Sequence, residues 1–270
     1  HCRHRAMTHL LTILFLLLAC VAQGAGLGPF NPAQHSVNGF MPTQVKGIFV
    51  WMDTSRIGGL TNGQNCQTFT DFSGNGRNFT NDTGSKSPTL QVAFFNGRNA
   101  LQFDGVDDYL IWKGSQYLDK ITVFVVFNTS TPPGTANRTR VYAFARSGEN
   151  DYQSWIPIYS EKTNSYATWV NNPRSEIQSS QSLNVVFTHL YDGSSLQNFQ
   201  NKLEGAAYSA GAINGTFTRT VVGAAPYSSS IDAWWNGQIA EVVVYTNALS
   251  LTYRTQIQRY LGTKYGIIVK

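Results

Sequence analysis

Short apolar runs alternate with turn-forming clusters along most of the chain after residue 46. The runs are rich in β-branched and aromatic residues, and clusters of Gly, Asn, Asp and Ser separate them. One run, residues 120–127, is apolar almost throughout, as expected for a strand covered on both faces. The pattern predicts an all-β, two-sheet antiparallel sandwich of the jelly-roll type. The predicted strands span residues 47–51, 100–103, 109–112, 120–127, 141–145, 154–159, 166–170, 183–191, 218–222 and 238–245.

One segment near the C-terminus has the period of a helix. Its apolar positions recur at i, i+4, i+7 and i+8, which places them on one side of a helix. They are Tyr253, Ile257, Tyr260 and Leu261. Ser250 suits an N-cap, and Gly266 suits the C-terminal end. The sequence therefore predicts one short C-terminal helix that packs on the sandwich.

A further apolar run, residues 10–19, lies near the start of the chain. It is too short to span a bilayer but matches the core of a secretory signal peptide that starts at Met7. Ala22-Gln23-Gly24 resembles a cleavage site. We therefore expect a signal peptide at residues 1–24, an extended lead-in at 25–44 and a single domain at 45–270, in a secreted or cell-surface protein.

The same N-terminal segment has a second interpretation. Residues 17–20 resemble a lipoprotein box, and an acylated Cys20 would attach the chain to a membrane surface. The simpler alternative is that Cys20 is one more apolar residue of the signal peptide. Without residues 1–24, Cys66 is the one remaining cysteine, so no intrachain disulfide is expected.

Composition and charge favour a folded domain and argue against a nucleic-acid partner. Charged residues make up 13% of the chain and aromatic residues also 13%, which fits a large core with polar, uncharged loops. The formal net charge is +5, and Arg3 and Arg5 of the predicted signal peptide contribute two of these charges. The other Lys and Arg residues are scattered along the chain, whereas nucleic-acid binding needs them clustered.

Four ordered segments carry a family resemblance. Residues 96–110 read NGRNALQFDGVDDYL, similar to the N-G-x-x-x-L-x-F-D-G-x-D-D-Y stretch of laminin G-like domains in the concanavalin A-like lectin/glucanase superfamily. Residues 50–55 with 71–76, residues 191–196 and residues 236–250 resemble other segments of that family, in the same order. One departure is Asn201-Lys-Leu-Glu-Gly205, where the family usually has V-N-G.

The resemblance extends over roughly residues 47–268 and implies a concanavalin A-like sandwich that binds extracellular ligands, often glycans and sometimes with Ca²⁺. Fold alone does not determine function. The motif residues themselves are mostly structural, because their glycines suit tight turns with positive φ and the neighbouring Asp and Asn side chains can cap such turns. These glycines are Gly74, Gly76, Gly97 and Gly105.

Catalytic signatures are scarce, and we expect no enzyme. His35 and His189 are the histidines that remain after residues 1–24, and His189 lies in an apolar strand pattern typical of a packed histidine. The alternative is a glycoside hydrolase of the same fold, whose E-x-D-x-E motif brings carboxylates to one face of a strand. The nearest match is Glu149-Asn-Asp151-Tyr-Gln153, and an amide cannot act as general acid.

Aromatic residues beside amides suggest a glycan-binding surface, because sugar rings stack on exposed aromatic faces while amides bind hydroxyls. The candidate ligand-binding residues are Trp155, Tyr166, Trp169, Asn171, Trp234 and Trp235. For any single ring, packing in the core is the alternative. Trp234 and Trp235 are consecutive, so both cannot enter the core from an extended loop.

No cofactor is required by the sequence, and calcium is the one candidate metal. Asp104, Asp107 and Asp108 are close enough to supply the oxygen ligands that Ca²⁺ prefers. The alternative is that Asp104 caps a turn and the other two face water. Five sequons, at Asn78, Asn81, Asn128, Asn137 and Asn214, permit N-glycosylation in a eukaryotic host.

The sequence thus favours a non-catalytic, extracellular module that recognises carbohydrate. Its expected partner is an extracellular glycan or a surface protein. A protein-protein adhesion module or a structural protein of a surface or matrix is the alternative in a different functional class.

Overall fold

The computed structural model describes residues 37–129, 139–145, 158–161, 165–169, 174–178, 184–212, 215–227 and 230–270. For a few strand residues, among them Trp169, the description is confined to the backbone. None of the helices within these ranges is both long enough and apolar enough to cross a lipid bilayer.

Strands dominate the described residues. They are β1 Ile48–Asp53, β2 Thr68–Phe69, β3 Phe79–Thr80, β4 Thr89–Phe95, β5 Arg98–Asp104, β6 Leu110–Leu118, β7 Ile121–Thr129, β8 Arg140–Ala145, β9 Ile158–Glu161, β10 Ser165–Trp169, β11 Arg174–Gln178, β12 Asn184–Tyr191, β13 Ser195–Gln200, β14 Leu203–Glu204, β15 Tyr208–Ser209, β16 Gly215–Val222, β17 Ala225–Tyr227, β18 Ser230–Asp232 and β19 Asn236–Tyr245. The α-helix, α1, spans Leu251–Tyr265, and short 3₁₀ turns lie at Pro42–Gln44, Thr54–Arg56 and Gly84–Lys86.

The strands form two antiparallel sheets and a small hairpin. Sheet I has the order β14-β13-β12-β7-β19-β5-β4, with β1 paired to the second half of β19 and β15 paired to β13. Sheet II has the order β11-β10-β9-β8-β16-β6-β3-β2, and β17 and β18 form the hairpin. Every strand pairing in the described residues is antiparallel.

The main core lies between the two sheets. Phe127 of sheet I lies 4.9 Å from Tyr166 of sheet II between ring centroids, and Phe49 lies 5.6 Å from Phe144 in the same way. All nine residues of β7 are buried, which confirms the prediction of a strand covered on both faces. Its odd-numbered residues, such as Val125, enter this core, while its even-numbered residues face the other side of sheet I.

Helix α1 covers that other side. Ser250 caps its N-terminus, with the side-chain oxygen 3.5 Å from the Tyr253 amide, and Gly266 ends it in the left-handed conformation with φ of 67°. Ile257 and Leu261 of the helix pack with Phe124 and neighbouring apolar residues of sheet I. The predicted sandwich with one C-terminal helix is confirmed.

A buried cluster of charged residues attaches helix α1 to sheet I. Lys264 Nζ lies 2.6 Å from both Asp53 Oδ2 and Glu241 Oε2. The hydroxyl of Tyr265 donates to Glu241 Oε2 at 2.7 Å, and Trp51 Nε1 donates to Glu241 Oε1 at 2.7 Å. Burial raises the pKa of Glu241, and the neighbouring Lys264 partly opposes that rise.

Several elements differ from the sequence prediction. The strand predicted at residues 109–112 extends to Leu118, and β4, β11 and β13 were not predicted as strands. In β4 the alternation of buried and exposed residues breaks after Gln91, where Ala93 has a positive φ of 56° and the register with β5 shifts. Residues 37–44, which the sequence places in the lead-in, include the 3₁₀ turn Pro42–Gln44 and the ring contact of Phe40 with Tyr260.

Candidate functional site

Burial removes two of the aromatic residues predicted to bind ligand. Tyr166 exposes 2% of its surface and packs 4.9 Å from Phe127 and 6.1 Å from Phe187 between ring centroids. Trp235 exposes 1% and lies 5.4 Å from Phe127. A sugar stacks on an exposed aromatic face, which neither ring offers. The prediction is corrected for Tyr166 and Trp235, because both rings are part of the core between the sheets.

The other four predicted residues stay predictions. Trp155 and Asn171 lie outside the described residues. Trp169 ends β10 opposite Arg174 of β11 and is described by its backbone. Trp234 is half-buried beside the buried Trp235, so these neighbours do not both enter the core, as the sequence predicted.

The three aspartates of the candidate calcium site surround one turn. Their carboxylate oxygens lie within 4.8 Å of one another. Asp104 Oδ1 accepts hydrogen bonds from the amides of Val106 at 2.8 Å and Asp107 at 3.3 Å, and Asp108 Oδ2 accepts from the Asp104 amide at 3.0 Å. Burial and the neighbouring charges of Asp104 and Asp107 raise the pKa of Asp108 to about 6.

This donor set fits Ca²⁺ in part. All three residues supply oxygen, which is the ligand atom that Ca²⁺ prefers, but a calcium ion takes roughly six to eight oxygens. Two of the carboxylate oxygens, one of Asp104 and one of Asp108, already accept backbone amides. The alternative interpretation holds for Asp104, which caps the turn, but not for Asp108, which is buried and does not face water. Calcium at Asp104, Asp107 and Asp108 stays a prediction.

A polar groove of 370 Å³ lies on sheet II, where the short strand β3 meets the start of β6. We call it the β3–β6 groove. Its polar lining includes Asn78, Asp82, Thr83 and Lys113, and its aromatic lining residues are Tyr109 and Trp112. The four polar residues are exposed and both aromatic residues are partly exposed. None of the six belongs to the ligand-binding set predicted from the sequence.

Strand alternation creates the wall of the β3–β6 groove on β3. Phe79 is fully buried in the core between the sheets, so its neighbours Asn78 and Thr80 point the other way and are exposed. Thr80 pairs with Ile111 of β6, which aligns the two strands across the groove.

The buried side chain of Asn81 stabilises the β3–β6 groove through hydrogen bonds. It is 4% exposed, and its amide nitrogen donates to the carbonyls of Lys86 at 2.7 Å and Tyr109 at 3.0 Å. Its side-chain oxygen accepts from the Thr83 amide at 2.9 Å. This one side chain therefore links the chain after β3, the 3₁₀ turn at Gly84–Lys86 and the start of β6.

Trp112 is fixed at the edge of the core. Its ring packs edge-on to Phe49 with centroids 5.3 Å apart, and the Arg77 guanidinium lies 5.8 Å from the Trp112 ring. The ring also lies over Gly114, where a Cβ would come within 2.3 Å of the indole. Residue 114 must therefore be glycine for Trp112 to hold this position.

The motif turn at residues 71–76 supports the other end of the groove. The Asp71 carboxylate accepts from the amides of Ser73 at 2.8 Å and Arg77 at 2.9 Å, and from the Trp51 amide at 3.0 Å. The Asp71 amide in turn donates to Asn78 Oδ1 at 2.9 Å. Gly74 and Gly76, like Gly97 and Gly105, have positive φ as predicted.

The groove combines the groups that bind polyhydroxylated ligands. Amide, carboxylate, hydroxyl and ammonium groups can all bond to sugar hydroxyls, and Tyr109 offers a partly exposed apolar ring, whereas the Trp112 ring packs against Phe49 of the core. The sequence did not reveal this site, because residues 78–83 and 109–113 come together through strand pairing. In the sequence, the feature that could have indicated this site is the pair Tyr109 and Trp112 near an Asn- and Thr-rich stretch.

Of the candidate catalytic residues considered in the sequence, His189 lies in the described part of the chain. His189 is fully buried, and its Nδ1 lies 3.0 Å from Asn198 Oδ1. Burial lowers the pKa of His189 to about 4. His189 is therefore a packed histidine, as the sequence indicated. His35 and the Glu149-Asn-Asp151 segment lie outside the described residues.

Comparisons with known proteins relate the chain to others through its fold. No protein-family profile matches the chain, and no curated protein matches its sequence. The sialidase of Trypanosoma rangeli in complex with sialic acid matches with a TM-score of 0.53 and 14% identity over 80% of this chain. A second structure of that sialidase matches with a TM-score of 0.51 and 11% identity over 80% of this chain.

These matches span about a third of the sialidase, 33% and 32% of its length. The CBM40 of the Ruminococcus gnavus IT-sialidase bound to alpha2,3 sialyllactose matches over 52% of this chain and 83% of its own length, with 11% identity and a TM-score of 0.44. At 14% and 11% identity, the likeness to the two structures of the Trypanosoma rangeli sialidase concerns the fold alone.

Proposed function

We propose that this protein is a secreted or surface-attached, non-catalytic module that binds extracellular carbohydrate, and that the β3–β6 groove is its binding site. The observation that carries the proposal is the partly exposed aromatic ring of Tyr109 beside exposed amide, hydroxyl and charged groups in one groove. The laminin G-like sequence motifs and the sandwich fold support the same function class.

The expected affinity is low. Stacking of a sugar on one exposed ring contributes about 1 kcal/mol beyond the burial of area, so a single site should bind in the micromolar to millimolar range. Useful attachment then requires several copies of the module or a ligand with repeated sugars.

A glycan array with neutral and acidic glycans, followed by titration calorimetry, tests the proposal. Tyr109→Ala should weaken binding by about fivefold, because it removes a stacking ring worth about 1 kcal/mol. The fold should persist, because the Tyr109 hydrogen bonds in the groove use its backbone. Tyr117→Ala is the matched control: Tyr117 is 57% exposed, lies on β6 and does not line the groove.

Equal affinity of Tyr109→Ala and the wild-type protein would place the ligand elsewhere. Trp169→Ala and Trp234→Ala then test the aromatic residues proposed from the sequence. Binding to a protein partner with no glycan bound would favour an adhesion module. Release of reducing ends from a β-glucan, lost in Glu149→Gln, would show a glycoside hydrolase.

A further inference from the structure

The five sequons differ sharply in what their asparagines do. Asn137 and Asn214 lie outside the described residues. N-glycosylation replaces one of the two amide hydrogens of the asparagine with a sugar, so a glycan fits the folded protein only where the side-chain nitrogen faces solvent and has a hydrogen that no structural hydrogen bond uses. The three described sequons can be compared on this criterion.

Asn81 and Asn128 do not meet this criterion. Asn81 is 4% exposed and uses its Nδ2 for two hydrogen bonds, to the carbonyls of Lys86 and Tyr109. Asn128 is 8% exposed, and its Nδ2 donates to Asn184 Oδ1 at 2.7 Å between β7 and β12. A glycan on Asn81 would remove a buried hydrogen bond, and a glycan on either buried nitrogen would force the surrounding structure apart.

Asn78 meets it. The residue is exposed, and its Oδ1 accepts from the Asp71 amide at 2.9 Å, which fixes the plane of the amide group. Within the described residues its Nδ2 makes no hydrogen bond to the protein. The sequon is completed by Phe79, which is buried, and by Thr80, which is exposed.

Asn78 also lines the β3–β6 groove. A branched sugar chain on its Nδ2 would leave the protein surface at the groove itself, beside Asp82 and Lys113. A protein with such a sugar chain could not bind a second glycan in the same groove of 370 Å³.

We propose that Asn78 is an N-glycosylation site and that its glycan closes the β3–β6 groove. In the reaction, Asn78 Nδ2 forms a bond to C1 of the first sugar, the bond from C1 to the diphosphate oxygen of a polyprenyl-diphosphate-linked oligosaccharide breaks, and Nδ2 loses a proton. The consequence for ligand binding rests on the function proposed above, whereas the modification itself does not.

The first test is site occupancy. The full chain is secreted from cultured eukaryotic cells, and its glycopeptides are analysed by mass spectrometry. We expect a glycan on Asn78, its complete loss in Thr80→Ala, and full retention in Thr83→Ala, the matched control that deletes the Asn81 sequon. Both threonines are exposed, and both variants keep the asparagine side chains. An unmodified Asn78, or a glycan on Asn81 or Asn128 of the folded protein, would overturn the assignment.

The second test measures closure without any ligand. An amine-reactive acetylating reagent should label Lys113 several-fold more slowly in the glycosylated protein than in Thr80→Ala from the same cells. Lys120, which is exposed and does not line the groove, should react equally in both. Equal labelling of Lys113 would overturn closure. If neither protein bound any glycan, the proposed function would fail while the occupancy and labelling results kept their meaning.

Discussion

Motif carboxylates act in this protein mainly on backbone amides. Asp71 and Asp104 each accept two or more amide hydrogens within a tight turn, and Asp192 does the same with the amides of Ser194 and Ser195. These bonds to the charged carboxylate lower the pKa of Asp192 to about 2. Asp108 is the exception, because its burial beside two other aspartates raises its pKa.

Asp108 should therefore reduce stability at neutral pH. Its pKa is raised to about 6 in the folded protein, so the folded state binds the proton more tightly than the unfolded state between about pH 4 and pH 6. The free energy of unfolding should thus fall as the pH rises through this window and Asp108 loses its proton. Asp108→Asn keeps an oxygen for the Asp104 amide and should raise the unfolding free energy at pH 7 by on the order of 1 kcal/mol.

Denaturant unfolding of the wild-type protein and Asp108→Asn at pH 4 and pH 7 measures this difference, which should nearly vanish at pH 4. Asp119→Asn is the control, because Asp119 is exposed and lies outside this turn. A constant difference at both pH values would contradict the prediction. In the same series, Ca²⁺ bound at this turn would raise the wild-type melting temperature but not that of Asp108→Asn.

The packing of helix α1 on sheet I depends on the buried ammonium group of Lys264. Lys264 sits between Asp53 and Glu241 at 2.6 Å from each, with all three side chains almost completely buried. Substituting Lys264→Met removes a buried cation from beside two buried carboxylates, which should lower the unfolding free energy by about 3–5 kcal/mol. Lys270→Met is the matched control: its ion pair with Glu204 at 2.7 Å is exposed and should contribute less than about 1 kcal/mol.

Thermal and denaturant unfolding give both values. Adding Glu241→Gln to Lys264→Met should recover part of the loss, because one unpaired charge is then removed from the cluster. Similar effects of Lys264→Met and Lys270→Met would show that the buried cluster adds nothing to the attachment of the helix.

For the whole chain, we predict export with removal of residues 1–24. The apolar run at residues 10–19 and the small residues at 22–24 support this prediction. N-terminal sequencing of the exported protein should begin at Ala25. An acylated Cys20 would instead establish a lipid-anchored protein, and an intact residue 10–19 segment would contradict both.

Local sequence patterns were sufficient for the architecture. Alternating apolar runs, turn glycines and the 3.6-residue period after Ser250 depend on neighbours in sequence. The structure shows the positive φ of Gly74 and Gly105, helix α1 and the predicted strands other than residues 154–159, most of which lie outside the described residues. Strand ends, the irregular strand β4 and the short strand β11 were less predictable, because pairing with a neighbouring strand extends or creates them.

The location of the candidate site needed the tertiary structure. The composition of a segment shows that an aromatic residue is present, but the packing of two sheets determines which rings become core. Tyr166 and Trp235 are buried for this reason, and Tyr109 and Trp112 reach the surface beside Asn78 because β3 pairs with β6. In the same way, the three-way contact of Lys264, Asp53 and Glu241 joins positions up to about two hundred residues apart, a distance that no local pattern records.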